Sequence, residues 1–369
     1  MSKKPVVVYG ASGYTGQLVC EFLRHFQIPF IAAGRDRSRL EEAMKKVPGI
    51  ETADYEIAVV EHSVATLGQL FAGAKVVCNV VGPFLMYGDA VVQAALAAGC
   101  HYVDTSGEQS YLLEMREKYD KEYARRGLLL SPSTAYQSAV LEIACRACAE
   151  HAEVDSIEAL CIPTGTPTVA STQTLLQMVR PKEHFLENGR LTPWAPASSA
   201  EVAAPFTNRT LLAVPGSGLA PVAWFAEDAR IRNLKAMCAF TSRELMEQLL
   251  GVQKHFHAEL VKLPEAAQIE ALAGIAASIR PAMPPRENPL VHRNWDTAIG
   301  SGLTGRVGYT VYSHCAYQQT GLLQAIAASW LLKQPPLATG FQSPSQAFGY
   351  RNVLGALERF GYAKMVKES

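Results

Sequence analysis

The sequence predicts an α/β protein in which a Rossmann-type doubly wound parallel sheet is followed by a second, mixed α+β domain. Three observations carry this. From residue 5 to about residue 130, short β-branched runs alternate with amphipathic helical segments, the pattern of parallel strands joined by crossover helices. The first run passes into the first helix through a glycine-spaced turn, Gly10-Ala11-Ser12-Gly13-Tyr14-Thr15-Gly16. Beyond residue 130 the alternation stops, and a stretch rich in Pro, Gly, Ala and Ser, Thr192–Gly218, interrupts longer helical patterns.

Strands are expected at Pro5–Tyr9, Phe30–Gly34, Tyr55–Val60, Lys75–Val80, His101–Asp104 and Gly127–Leu130. The first crossover, Tyr14–Phe26, repeats Leu18, Val19, Phe22, Leu23 and Phe26 at the three-and-four spacing of one helical face. Further helices are expected at Arg39–Lys46, Ser63–Phe71, Asp89–Ala98 and Glu108–Arg126, the last charged along its solvent side. In the second domain, helices are expected at Ser138–Glu150, Ser242–Leu263 and Ala266–Ile279, and strands at Ser156–Ile162 and Arg306–Cys315. Arg280–Arg286 is a turn-rich break, and the amphipathic segment Pro344–Phe360 is expected to dock back on the first domain. The domains are therefore drawn as residues 1–134 with 340–369, and 135–339.

Composition narrows the class. The 369 residues suffice for about two domains at roughly 150 residues each, and 49% apolar content can core both. Thirty-four basic residues balance 34 acidic ones, with no like-charged block, which disfavours a nucleic-acid partner. The longest apolar runs fall short of the ~20 residues that span a bilayer. The start, Met1-Ser2-Lys3-Lys4, enters a strand too short to be a signal-peptide core, so a cytoplasmic location is expected. Eight scattered cysteines read as reduced, buried thiols, and Cys145-x-x-Cys148 lacks the second pair that a zinc site needs, so no metal is expected.

The Gly10–Gly16 turn, directly after an apolar strand and before an amphipathic helix, is the context of a dinucleotide site. Gly10 allows the tight turn, Gly13 the approach of a pyrophosphate, and Gly16 the packing of helix on strand, while helix N-terminal amides favour the anion. Ser12, Tyr14 and Thr15 complete this cofactor-binding stretch. An NAD site normally carries an acid at the end of the second strand; here the chain reads Gly34-Arg35-Asp36. A guanidinium at that place pairs with a 2′-phosphate and stacks on adenine, which selects NADP. Asp36 or Ser38 is expected to cap the next helix. Where the sheet's carboxyl edge should face the cofactor, Val81-Gly82-Pro83-Phe84 ends one strand and is expected to abut the nicotinamide ribose. Asp104-Thr105-Ser106-Gly107-Glu108 ends another. Asp104 and Glu108 can bind ribose or position a proton, or alternatively form a helix cap with Glu108 in the first turn.

In this order and spacing, Gly10–Gly16, Gly34-Arg35, Asn79-x-x-Gly82-Pro83-Phe84 and Tyr102-x-Asp104-x-x-Gly107-Glu108 resemble the cofactor domain of the saccharopine dehydrogenase-like oxidoreductases. That group includes the trans-acting enoyl reductases of lipid biosynthesis. In the second domain Thr164-Gly165-Thr166 with Ala170-Ser171, and Tyr317-x-x-Thr320-Gly321 through Gly340-x-x-x-Pro344, are similar to later segments of the family. The family's usual Gly-Phe-Asp-Ser-x-Pro-Ser-Asp run departs here to Ala135-Tyr136-Gln137-Ser138-Ala139-Val140-Leu141-Glu142, losing an acid and a proline. Tyr136 gains a hydroxyl, which makes it a proton-donor candidate beside Asp104; the alternative is a packing residue with a satisfied hydroxyl.

No Tyr is followed by Lys four residues later, so the short-chain dehydrogenase pair cannot form locally, and the sequence lacks P-loop, nucleophile-elbow and zinc-peptidase patterns. The resemblance implies an NADPH-dependent reductase that transfers hydride to a C=C bond of a hydrophobic enoyl or enone substrate held between the domains. A C=N reductase of amino-acid imines is the alternative, disfavoured modestly because the second domain is apolar (Trp194, Phe206, Trp224, Phe225, Trp295) and no Arg or Lys cluster for carboxylates is apparent. Two other classes are a non-catalytic NADP-binding regulator and a membrane-surface protein using Leu322–Leu332, although burial is the simpler account of that segment. A homodimer is the expected assembly, with nothing in the sequence that fixes its interface.

Overall fold

The computed structural model describes residues 4–204, 207–216, 219–280 and 282–368. Met1, Ser2, Lys3, Pro205, Phe206, Ser217, Gly218, Pro281 and Ser369 of the segments above lie outside them. The chain divides into two compact units, one comprising residues 1–106, 111–139 and 317–360, the other 107–110, 140–316 and 361–369.

The first unit begins with β1 (Val6–Tyr9), whose four side chains are at most 1% exposed. Complete burial on both faces is what a near-continuous apolar run demands of a central parallel strand. It is followed by α1 (Tyr14–His25), β2 (Phe30–Gly34), α2 (Arg37–Lys45), β3 (Tyr55–Val59), α3 (Val64–Phe71), β4 (Val76–Asn79), α4 (Phe84–Ala98), β5 (His101–Asp104), α5 (Gln109–Arg125) and β6 (Leu129–Ser131). Asp36 caps α2, its carboxylate accepting from the Arg39 N–H at 3.0 Å, and Ser63 caps α3 through the Thr66 N–H at 3.2 Å. Helix α4 begins five residues before the expected Asp89, because the chain turns straight from Pro83 into the helix.

From α6 (Ser138–Ala149) the chain enters the second unit: β7 (Ser156–Ile162), α7 (Val169–Gln177), β8 (His184–Glu187), β9 (Arg190–Pro193), β10 (Ala200–Ala203), β11 (Thr210–Pro215), α8 (Pro221–Phe225), β12 (Asn233–Cys238), α9 (Arg243–Ala258), α10 (Glu265–Ile279), β13 (Arg293–Ser301) and β14 (Arg306–His314). These build a mixed sheet in the order β10-β11-β12-β7-β13-β14, with β8 and β9 forming a hairpin against β12. β7 and β12 pair in parallel and the rest antiparallel. Trp224 and Phe225 are buried in the core, and Trp295 packs on a cluster of Ile162, Ala204, Leu211, Ala213 and Ala239. Much of the apolar content that pointed to an oily substrate is therefore structural.

The chain returns to the first unit through α11 (Ala316–Lys333), β15 (Gly340–Phe341), α12 (Pro344–Phe348) and α13 (Tyr350–Arg359). The return begins at Tyr317 rather than at residue 340. Gly321 lies against Leu18 of α1, where a Cβ would stand 2.7 Å from the Leu18 Cβ, so the two helices approach at the closest distance the backbone allows. Leu322–Leu331 is buried nearly throughout, so this segment is core and presents no lipid-facing surface. β15 pairs in parallel with β6 and completes a seven-stranded parallel sheet, β15-β6-β5-β4-β1-β2-β3. The last strand, β16 (Ala363–Glu368), pairs antiparallel with β14, which assigns the terminal residues to the second unit instead of the first. Among the described residues no helix is long and apolar enough to cross a membrane.

Candidate functional site

In the seven-stranded sheet β1 lies between β2 and β4, the switch point at which open α/β sheets leave a crevice beyond their carboxyl ends. The glycine turn occupies that position. The N–H groups of Gly10 and Ala11 both donate to the Ala33 carbonyl, at 2.9 and 3.1 Å, and the Gly13 N–H donates to the Gly10 carbonyl at 3.0 Å. Gly10 holds φ +97°, and a Cβ there would lie 2.8 Å from Val81 Cγ2. A Cβ on Gly16 would lie 2.3 Å from the Gly10 oxygen, so both positions admit only glycine without backbone movement. Gly13 is exposed at the N-cap of α1, and no side-chain oxygen caps the helix. The first-turn amides and the positive end of the dipole thus form a cradle matched to a diphosphate. Ser12, Tyr14 and Thr15 are half-buried around it, with the Tyr14 ring edge-on to Tyr317 at 5.3 Å.

Arg35 stands exposed at the carboxyl end of β2. Beside it is a group that the sequence reading missed. His62, just past β3, has its Nδ1 2.9 Å from the Tyr9 hydroxyl, its ring stacked on Tyr9 at 6.0 Å and edge-on to Tyr87 at 5.3 Å. Burial, and then the Arg35 charge, lower the His62 pKa, so the imidazole is neutral at pH 7. The available sequence clue was positional: the Val60 N–H bonds the Gly34 carbonyl at 3.0 Å, so the residues after β3 lie beside Gly34-Arg35.

At the end of β4, Asn79 Oδ1 accepts from the Val81 N–H at 3.0 Å while its Nδ2 donates to the Tyr102 hydroxyl at 2.9 Å. This fixes Val81 and Gly82 beside the glycine turn, both half-buried. Pro83 follows a cis peptide and is buried. Phe84 is 4% exposed, its ring 5.8 Å from Tyr111, so the aromatic expected to abut a ribose belongs to the core.

Asp104 is fully buried, and its carboxylate accepts from the Ser106 and Ser133 N–H groups, the Ser106 hydroxyl and the hydroxyls of Tyr102 and Tyr111, at 2.6 to 3.0 Å. Burial raises its pKa while the donors oppose the rise. With five donors converging on two oxygens, it anchors three chain segments and has no oxygen left for a ribose or a mobile proton. Ser106, 3% exposed, belongs to the same anchor. Tyr136 is half-buried, and its N–H donates to Thr320 Oγ1 at 3.2 Å.

Residues 6–151 match the family described as saccharopine dehydrogenase NADP binding domain, and residues 139–367 match a family of unknown function, DUF5938. A Caenorhabditis elegans lipid droplet localized protein is 34% identical over 146 residues, covering 37% of this chain and 34% of that protein. The human saccharopine dehydrogenase-like oxidoreductase is 33% identical over 147 residues (36% and 34%). A Mycobacterium bovis trans-acting enoyl reductase is 32% identical over 136 residues (36% and 32%). The chain thus matches about a third of the length of these curated relatives. Among solved structures, an amine dehydrogenase from Mycobacterium smegmatis aligns over 94% of this chain and 96% of its own, at 12% identity and TM-score 0.48. The chain belongs to the DUF5938 family of unknown function, and its first part is an NADP-binding domain of the saccharopine dehydrogenase type.

Proposed function

We propose that the protein is an NADPH-dependent reductase acting on the C=C bond of a hydrophobic enoyl or enone compound. The observation that carries the cofactor half of this reading is Arg35, exposed at the end of β2 where NAD sites carry an acid. The C=C half is supported by the enoyl reductase among the relatives and by the ordered cofactor motifs shared with that group.

In this reading the amides of Gly10–Gly16, with Ser12, Tyr14 and Thr15, hold the pyrophosphate. Arg35 clamps the 2′-phosphate, with the neutral His62 and Tyr9 rings beside it on the adenine side. Val81 and Gly82 shape the ribose edge, and Asp104 and Ser106 keep the neighbouring loops in place without touching the ligand. Bound NADPH would supply the hydride; the protein supplies orientation and water exclusion. The reading also takes the protein as cytoplasmic, with eight buried free cysteines as in a reducing compartment, and as a homodimer. Cell fractionation and sedimentation check these two points.

The test is NADPH oxidation with a panel of enones and cyclic imines. Consumption with an enone and not with an imine is expected. Consumption with imines alone would move the activity to C=N reduction, and NADPH binding without turnover on any member would favour a non-catalytic NADP-binding regulator.

A further inference from the structure

Helix α11 stops at Lys333, two residues before the pair Pro335-Pro336, which cannot continue a helix. The chain then crosses α12, where the Leu337 N–H donates to the Ala347 carbonyl at 2.8 Å. That bond fixes the backbone of Leu337 although the residue is 74% exposed. The end of α11, this crossing, the end of α12 and one face of α13 enclose a cavity of about 430 Å³, wholly within the first unit and of the size that small-molecule sites have.

Its apolar wall is made by Trp330 and Phe348, whose ring centroids are 5.1 Å apart at 50°, with Leu337 at the rim. From α13 come Arg351, Asn352, Gly355 and Arg359, and Asn352 Nδ2 donates to the Phe348 carbonyl at 2.8 Å, which ties that face to α12. Gly355 stands in the interior of α13, where glycine destabilises a helix relative to alanine. A Cβ there would meet nothing within 4 Å, so no neighbour demands a glycine; its effect is to leave the cavity open on that side.

The charged residues that line the cavity are Arg351 and Arg359, both exposed, and Glu358, the one acid of α13, is not among them. Arg351 lies over the Tyr350 ring at 4.8 Å. A guanidinium is a permanently charged planar fork that pairs with carboxylate or phosphate. Eight residues of helix separate the two, about 12 Å along the axis, so they stand toward opposite ends of the cavity. The glycine cradle is a different place: α11 meets α1 at Gly321, and Trp330 follows nine residues later, about 14 Å farther along the helix.

We propose that this cavity is a second ligand site, for a small organic anion with a flat aromatic body and a phosphate or carboxylate head. The body lies on Trp330 and Phe348, where an aromatic partner gains more than plain area burial gives, and fills the space beside Gly355. The head pairs with a guanidinium of α13.

Calorimetric titration of the full-length protein tests this, with 1-naphthyl phosphate, 1-naphthoate and uncharged 1-naphthol as probes. At least one of the two anions should bind once per chain, at least about tenfold more tightly than naphthol and equally with and without saturating NADPH; the tighter anion names the head. The double variant Arg351→Gln, Arg359→Gln should weaken that anion to the level of naphthol. Gly355→Leu, which puts a side chain into the cavity, should abolish binding, whereas Gly355→Ala should melt no lower than the wild type and still bind. Absence of binding, displacement of the anion by NADPH, naphthol binding as tightly as both anions, or binding unchanged in the double variant or in Gly355→Leu overturns the proposal.

Discussion

In the proposed cofactor site Gly16 and Arg35 serve through opposite properties, one by having no side chain and the other by having a long charged one. A Gly16→Ala variant would drive a methyl group into the Gly10 carbonyl and the Ala11 Cα, both backbone atoms that cannot swing away. We expect a loss of about 1 to 3 kcal/mol in urea denaturation, the usual range for overpacking, together with loss of NADPH binding. Both residues were legible in the sequence because their meaning is local: a glycine at fixed spacing between strand and helix, and a base where an acid is usual. The surroundings of Phe84 and Asp104 were not legible, for the complementary reason. Position at the carboxyl edge of the sheet was visible, but whether a side chain faces the ligand or the core depends on Tyr102, Tyr111 and Ser133, which other elements bring in.

The parallel sheet was readable strand by strand, since a strand buried on both faces must be a continuous apolar run; Phe30–Gly34 and His101–Asp104 match to the residue. The hairpin β8–β9 and strand β13 were not. Arg293–Ser301 carries Asn, Asp and Thr, residues tolerated there because it pairs over its full length with β14 and from Trp295 to Ser301 with β7. Helix α11 hides for another reason: it is buried on nearly all sides and shows no amphipathic stripe. Its packing yields a prediction at this scale. Gly321→Ala places a Cβ 2.7 to 3.0 Å from Leu18 side-chain and backbone atoms and should cost about 1 to 3 kcal/mol. A calorimetric melt that matches the wild type would contradict the close helix approach. At the sheet edge, the Phe341 N–H donates to Asp120 Oδ1 at 2.7 Å. Asp120→Ala should leave that amide unpaired at about 1 to 3 kcal/mol, read as faster hydrogen exchange at Phe341 and at its β6 neighbours.

For the molecule as a whole, pH should act on stability through the second unit, where the Glu183 carboxyl has an oxygen sealed from solvent without a hydrogen-bond partner and burial, then the charge of Glu108, raises its pKa to about 8. The Glu183 pKa is raised, so the proton it holds in the folded state favours folding fully below about pH 4.5, its ordinary value, and that contribution is lost as pH rises through about 8. Glu183→Gln lacks this loss. Denaturation at pH 5 and pH 9 should therefore show the variant gaining stability relative to the wild type at the higher pH, whereas an equal difference at both would place an ordinary carboxyl at residue 183. NADPH in hundredfold excess over its dissociation constant should stabilise the protein by about 2.7 kcal/mol, the mass-action value for a ligand that binds only the folded state.

The central claim, an NADPH site built on the glycine cradle and Arg35, is tested most directly by the dissociation constants of NADPH and NADH for the wild type and Arg35→Ala, read from nicotinamide fluorescence. NADPH should bind the wild type at least about tenfold more tightly than NADH, a difference of about 1.4 kcal/mol, and the variant should bind both alike. Equal binding of the two nucleotides by the wild type, or a preference that survives in Arg35→Ala, would contradict it.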